Sequence, residues 1–129
     1  MQGNHSEKEM ETLQTFMQDL DDKGDLHDCQ IRQVSWCVLE RSLQLEIADL
    51  NGNFYGLPEY PGAKPGCVSL SDVDSISFDV AMPAPKLHIF EVVAQKEGNS
   101  LLVEVRLVPS GVIKVRCGSA RIDELGPNL

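Results

Sequence analysis

The chain has 129 residues, 42% of them apolar and 24% charged, with a formal net charge of −9. This is the composition of one ordinary globular domain, and it excludes wholesale disorder; no apolar run approaches the ~20 residues of a membrane-crossing helix. The acidic balance speaks against nucleic acid and anionic membranes as partners, since both reward Lys and Arg, and leaves plain solubility or a basic protein partner.

The opening segment predicts a helix from about residue 7 to 23. Ser6 and Glu9 have the spacing of a capping box, and Met10, Leu13, Phe16, Met17 and Leu20 recur on one face. Gly24 suits the left-handed position after the last turn. The same segment lacks the basic and then apolar regions of a secretory signal, so a cytoplasmic address is expected. Cys29, Cys37, Cys67 and Cys117 stand at long, irregular spacings with no CxxC pair, which fits four reduced and largely buried thiols.

From Leu26 onward the apolar period changes to two. Residues 28–38 and 42–50 read as strands, joined at a polar Glu40-Arg41 turn. Asn51-Gly52 marks another turn, and three prolines and three glycines make residues 56–66 a loop. Val68 and Leu70, then Ile76, Phe78 and Val80, give two short strands around Ser71-Asp72. Residues 87–95 are ambiguous by period, but their β-branched side chains favour a strand. Leu101 to Leu107 alternate cleanly, Pro109-Ser110-Gly111 turns the chain into Ile113, Val115 and Cys117, and a last strand covers about 119–125. The expected fold is α+β: an N-terminal amphipathic helix packed on one face of an antiparallel β-sheet of about seven or eight short strands. We expect a single domain over 1–129, fraying at about 1–6 and 126–129.

Few residue constellations point to chemistry. His27, Asp28 and Cys29 include a Cys–His pair, but strand neighbours project to opposite faces, so a nucleophile would need His5 or His88 instead. His27 and Asp28 are expected to hold the helix-to-strand junction through hydrogen bonds to nearby backbone. The run from Asp19 to Asp28 lacks the order of a calcium loop, with Gln30 where the bidentate Glu would stand. No GxxxxGK[ST] or GxGxxG is present, and no catalytic group, metal or cofactor is expected.

One feature asks for an explanation. Asp19, Asp21 and Asp22 crowd the C-terminal turn of the helix, where the macrodipole favours cations. Residues 1–28 carry a net charge of −6, and residues 100–121 carry +3 through Arg106, Lys114, Arg116 and Arg121. The acids either pair with that basic hairpin inside the molecule or are solvated. The alternative is a surface of Asp19, Asp21, Asp22 and Asp25 that attracts a basic partner.

LHDC at residues 26–29, SLQLEI at 42–47, VSLSDVDSISFDV at 68–80 and RLVPSGVIKVRCGSARIDEL at 106–125 resemble the small β-rich immunity proteins of bacterial polymorphic toxin systems. The resemblance implies a non-enzymatic protein that binds and neutralises a cognate toxin, a basic one on the charge argument, in the cytoplasm. Two other readings stand beside it: an oligomerising subunit, such as a homodimer through an exposed edge strand, and a small Cys/His-dependent enzyme.

Overall fold

The computed structural model describes the backbone of residues 3–125 and the side chains of residues 13–125. It holds one α-helix, α1 (Gly3–Asp22), and eight strands: β1 (Ile31–Cys37), β2 (Ser42–Ile47), β3 (Gly66–Ser71), β4 (Ser75–Val80), β5 (His88–Glu97), β6 (Ser100–Val108), β7 (Gly111–Cys117) and β8 (Ser119–Glu124). Every pairing is antiparallel, and the fold is α+β. No helix among the described residues is long and apolar enough to cross a membrane.

The expectation of a single sheet is corrected. There are two four-stranded sheets, ordered β1-β2-β3-β8 and β4-β7-β6-β5. Both are built from one long ribbon that bends in the middle: β3 runs into β4 while β7 runs into β8. At the bend Asp72 has φ +55, and the Gly118 amide donates to the carbonyls of Ser71 and Asp72. A Cβ on Gly118 would stand 2.9 Å from that of Asp72, so the bend needs glycine there. The expected interruption at Ser71-Asp72 is therefore the corner between two sheets rather than a turn within one.

The sheets enclose one continuous apolar core, including Leu43, Leu45 and Ile47 of β2, Val68 and Leu70 of β3, Val103 and Val105 of β6, and Ile113 and Val115 of β7. At one corner, residues 28–31 are stitched to residues 87–89. The Asp28 amide donates to the Ile89 carbonyl (2.8 Å), the Ile89 amide to Cys29 (2.8 Å), and the Ile31 amide to Leu87 (2.9 Å).

The helix does not lie on one sheet face, as the sequence suggested. It packs against β8 of the first sheet and β5 and β6 of the second, closing the side of the sandwich where those strands lie. Phe16 and Leu20 enter the core and Leu13 packs partly against it. Met17, expected on the same stripe, is 48% exposed, because the helix turns Leu13, Phe16 and Leu20 toward the core and Met17 to the side of them. The helix begins at Gly3, so Ser6 lies inside it rather than at its cap; the side chains of Ser6, Glu9 and Met10 fall outside the described residues.

Candidate functional site

After α1 the backbone turns left-handed. Gly24, Asp25 and Leu26 have φ of 63, 57 and 58, and Asp28 has φ 70. Gly24 takes the conformation its type allows without strain; Leu26 takes it against its preference, and its side chain is fully buried. This turn aims Asp25 and Asp28 at solvent and brings His27 over the second sheet. The His27 ring packs edge-on against Phe90, with Nδ1 2.7 Å from the Phe90 carbonyl, so the ring carries its proton on Nδ1 and donates it there. Asp28 is held by its backbone amide while its carboxylate is exposed, 3.6 Å from His27 Nε2. The partners of this junction are thus some sixty residues away in sequence, not nearby backbone.

The four aspartates stand together at the end of α1 and in the turn behind it. Asp21, Asp22 and Asp25 are exposed and Asp19 is half-buried. Gln18 donates to Asp22 (3.0 Å). The arginines of the basic segment pair with other carboxylates. Arg106 pairs with Glu91 (2.9 Å) and Glu104 (3.4 Å), Arg116 with Asp74 (2.7 Å) and Glu97 (3.7 Å), and Arg121 with Asp123 (2.6 Å). Each of these three arginines is taken by a carboxylate at 4 Å or less on its own or an adjoining strand, or at the corner, so they are paired without the aspartates. Among the described residues no three His, Cys, Asp or Glu side chains converge as ligands for a metal ion.

A second place where polar groups converge is a cleft of ≈ 390 Å³ lined by Cys29, His88, Asp49, Asn53 and Tyr55, among others. It brings a cysteine near an imidazole, which the order of residues in the chain did not foretell. Cys29, however, is buried, its Sγ is 3.9 Å from the Leu50 carbonyl, and burial pushes its thiol up to about 11. A nucleophilic cysteine needs the opposite shift. Cys117 is pushed up to about 12 by the same cause, and Cys67 is buried as well. Cys37 departs from the expectation of buried thiols, since it is exposed near the end of β1.

Asp49 in this cleft is a structural anchor. Its carboxylate accepts hydrogen bonds from the Tyr60 hydroxyl (2.5 Å) and the amides of Asn51 and Lys64 (both 2.9 Å), tying down the Pro/Gly-rich loop. Partial burial works to raise its pKa, but those three donors outweigh it and hold the carboxyl below its ordinary value. In return the Asp49 carboxylate pushes the Tyr60 hydroxyl up to about 12. A depressed carboxyl contributes stability that is present above the unfolded-state value near 4 and is lost as pH falls through the folded value. Asp49→Asn is therefore expected to lower the thermal midpoint at pH 7, and the difference from the parent chain is expected to close below about pH 4. A difference that stays constant down to pH 2.5 would contradict this account.

A third concave feature was not legible in the sequence. A trough of ≈ 520 Å³ runs between the edge strands β1 and β4, lined mainly by Ile31, Val34, Phe78, Val80, Met82 and Leu87, with Arg32 and Lys86 as its charged residues. A smaller hollow of ≈ 210 Å³ continues it past Trp36, Val38 and Ile76. Val34 and Trp36 lie opposite the buried Leu45 and Leu43, so they point to the core side of their sheet. Phe78 lies opposite the buried Ile113 in the same way. Yet Val34, Trp36 and Phe78 are 37%, 59% and 47% exposed. The sandwich is closed by α1 on the side of β8 and β5, and open on the side of β1 and β4.

The fold and these surfaces describe a small antiparallel two-sheet domain with one helix. No family model matches the chain, and no curated protein does. Its structure is similar to the crystal structure of an uncharacterized protein from Neisseria gonorrhoeae, with a TM-score of 0.53 and 14% sequence identity over 77% of this chain and 93% of that one. At that identity the likeness concerns the fold alone.

Proposed function

We propose that the chain is a non-enzymatic binding protein of the immunity type, which neutralises a basic toxin domain in the cytoplasm through a surface that includes Asp19, Asp21, Asp22 and Asp25. The observation that supports this reading is the distribution of ion pairs. The arginines that could have neutralised the helix end inside the molecule are engaged by Glu91, Glu104, Asp74, Glu97 and Asp123 instead. Several carboxylates gathered at the negative end of a helix dipole destabilise the free protein slightly and attract a cationic partner strongly. Such a surface acts chiefly on the rate of encounter.

The test uses the product of the adjacent gene, co-expressed and then titrated. The reading expects a complex, protection of the cells, and association that weakens steeply with salt. Replacing Asp19, Asp21, Asp22 and Asp25 together by Asn is expected to slow association by about 10- to 1,000-fold while leaving the circular dichroism of the free protein unchanged. If neither a complex nor protection is found, the immunity reading is withdrawn. If both are found but the fourfold variant binds at the parental rate at every ionic strength, the interface lies elsewhere.

A further inference from the structure

We infer that β1 is the interface of a symmetric homodimer, in which the first strands of two copies pair antiparallel and each fills the open side of the other's sandwich. This goes beyond the reading above: it concerns the trough rather than the aspartates and holds for the protein alone.

Two four-stranded sheets have four edges: β1, β8, β4 and β5. Free edges expose unpaired amides and carbonyls, and natural proteins blunt them with charge, proline or a covering element. Strands β5 and β8 are both covered by α1 and carry Glu91, Lys96 and Glu97, or Arg121, Asp123 and Glu124. Strand β4 carries Asp79 and runs out toward Pro83 and Pro85. Strand β1 has a bulge and Arg32 at its start, but Gln33–Cys37 holds no charge and no proline. In a chain of net charge −9, the whole stretch of residues 31–39 lacks an acid, so two copies meet there without carboxylate repulsion. At Ile31 the outer side of β1 is bonded to the Leu87 carbonyl, whereas among the described residues the stretch from Gln33 to Cys37 is left unguarded.

The side chains along β1 and just beyond it also lack cover. Val34 and Trp36 face the trough, and the hairpin tip carries Val38 and Leu39, which is 96% exposed. An isolated exposed leucine means little, whereas a row of apolar side chains on the core side of an edge strand marks an interface.

Antiparallel pairing about a two-fold axis makes these features complementary. With Ser35 on the axis, Val34 of one copy stands opposite Trp36 of the other, on the face that Phe78 and Val80 line from across the trough. Beyond the paired strands, the turn that carries Leu39 and Glu40 lies toward the end of the partner's trough where Arg32 and Lys86 lie. The acidic, apolar tip of each copy thus meets the cationic, apolar end of the other. A two-fold interface requires this self-complementarity, because each contact occurs twice.

Light scattering and sedimentation of the purified chain over a range of concentrations test the inference. A mass of two chains is expected, with Trp36→Glu raising the dissociation constant about 30-fold or more, as loss of a central tryptophan does. Glu40→Lys is expected to weaken the dimer and Lys86→Glu to restore it in combination. In a Cys37→Ser background, Ser35→Cys is expected to cross-link under mild oxidation, since directly opposed Cα atoms lie within disulfide reach. Ser110→Cys, exposed but off the axis, is expected not to. All these residues are exposed or line the trough, so the variants are expected to fold, and circular dichroism checks this. A mass of one chain at every concentration, or cross-linking no faster at position 35 than at 110, overturns the proposal.

Discussion

Replacing Phe16 by alanine is expected to lower the unfolding free energy by about 3–5 kcal/mol, with a fall in thermal midpoint on the order of 10–20 °C. Phe16 has no exposed surface and is the largest side chain that α1 places in the core. The helix that carries it bridges β8 of one sheet and β5 and β6 of the other, so truncation is expected to leave a void in the core they share. The control is Met17→Ala. Met17 is one residue away on the same helix and half-exposed, so its loss is expected to cost less than about 1 kcal/mol. Chemical denaturation of the two variants checks this directly. Equal, small losses for both would mean that α1 contributes little to the core and that the side of β8 and β5 is closed by something else.

The second large effect is expected at Leu26. Leu26→Ala should cost about 2–5 kcal/mol for the buried volume removed. The informative comparison is with Leu26→Gly. In most positions glycine is less stable than alanine by roughly 0.5–1 kcal/mol because the unfolded chain gains freedom. At φ 58 the order is expected to reverse, since any residue with a Cβ bears a left-handed cost of roughly 1–2 kcal/mol that glycine escapes. Both variants lose the same apolar contacts, so their difference isolates the backbone. A glycine variant less stable than the alanine variant would show that the turn relaxes out of the left-handed region once the leucine anchor is gone.

Leu26 also shows how local preference and fold can conflict. Residue type predicts a left-handed Gly24, which is found; nothing in the type of Leu26 predicts the same conformation two residues later. The burial of its side chain in the core outweighs the local cost, and that gain exists only in the assembled molecule. The His27 junction is likewise made by the assembled fold. An imidazole beside a helix end invites a local partner, but the carbonyl that receives its proton belongs to Phe90, brought there when residues 28–31 pair with 87–89.

The candidate surfaces divide in the same way. The aspartates of the helix end were visible as a charge run, because like charges at short spacing need no fold to be noticed. Whether the basic hairpin would neutralise them was not visible. Arg116 finds Asp74 from 42 residues away through the β4–β7 corner, and Arg106 finds Glu91 across the β5–β6 ladder. The trough escaped altogether, since Val34 and Trp36 have the alternation of a half-buried strand whether or not anything covers them.

Alternation by itself determined which segments become strands and which side chains share a face, because the pleat repeats every two residues and every strand must hide its apolar row. It also determined that one helix with a Leu/Phe face has to dock on them. What only the tertiary structure decided is where the chain changes sheets at Asp72 and Gly118, and hence which edges meet. Edge strands are defined by their missing neighbours, and β1, with neither charge nor proline from Gln33 to Cys37, has the residues of a strand paired on both sides.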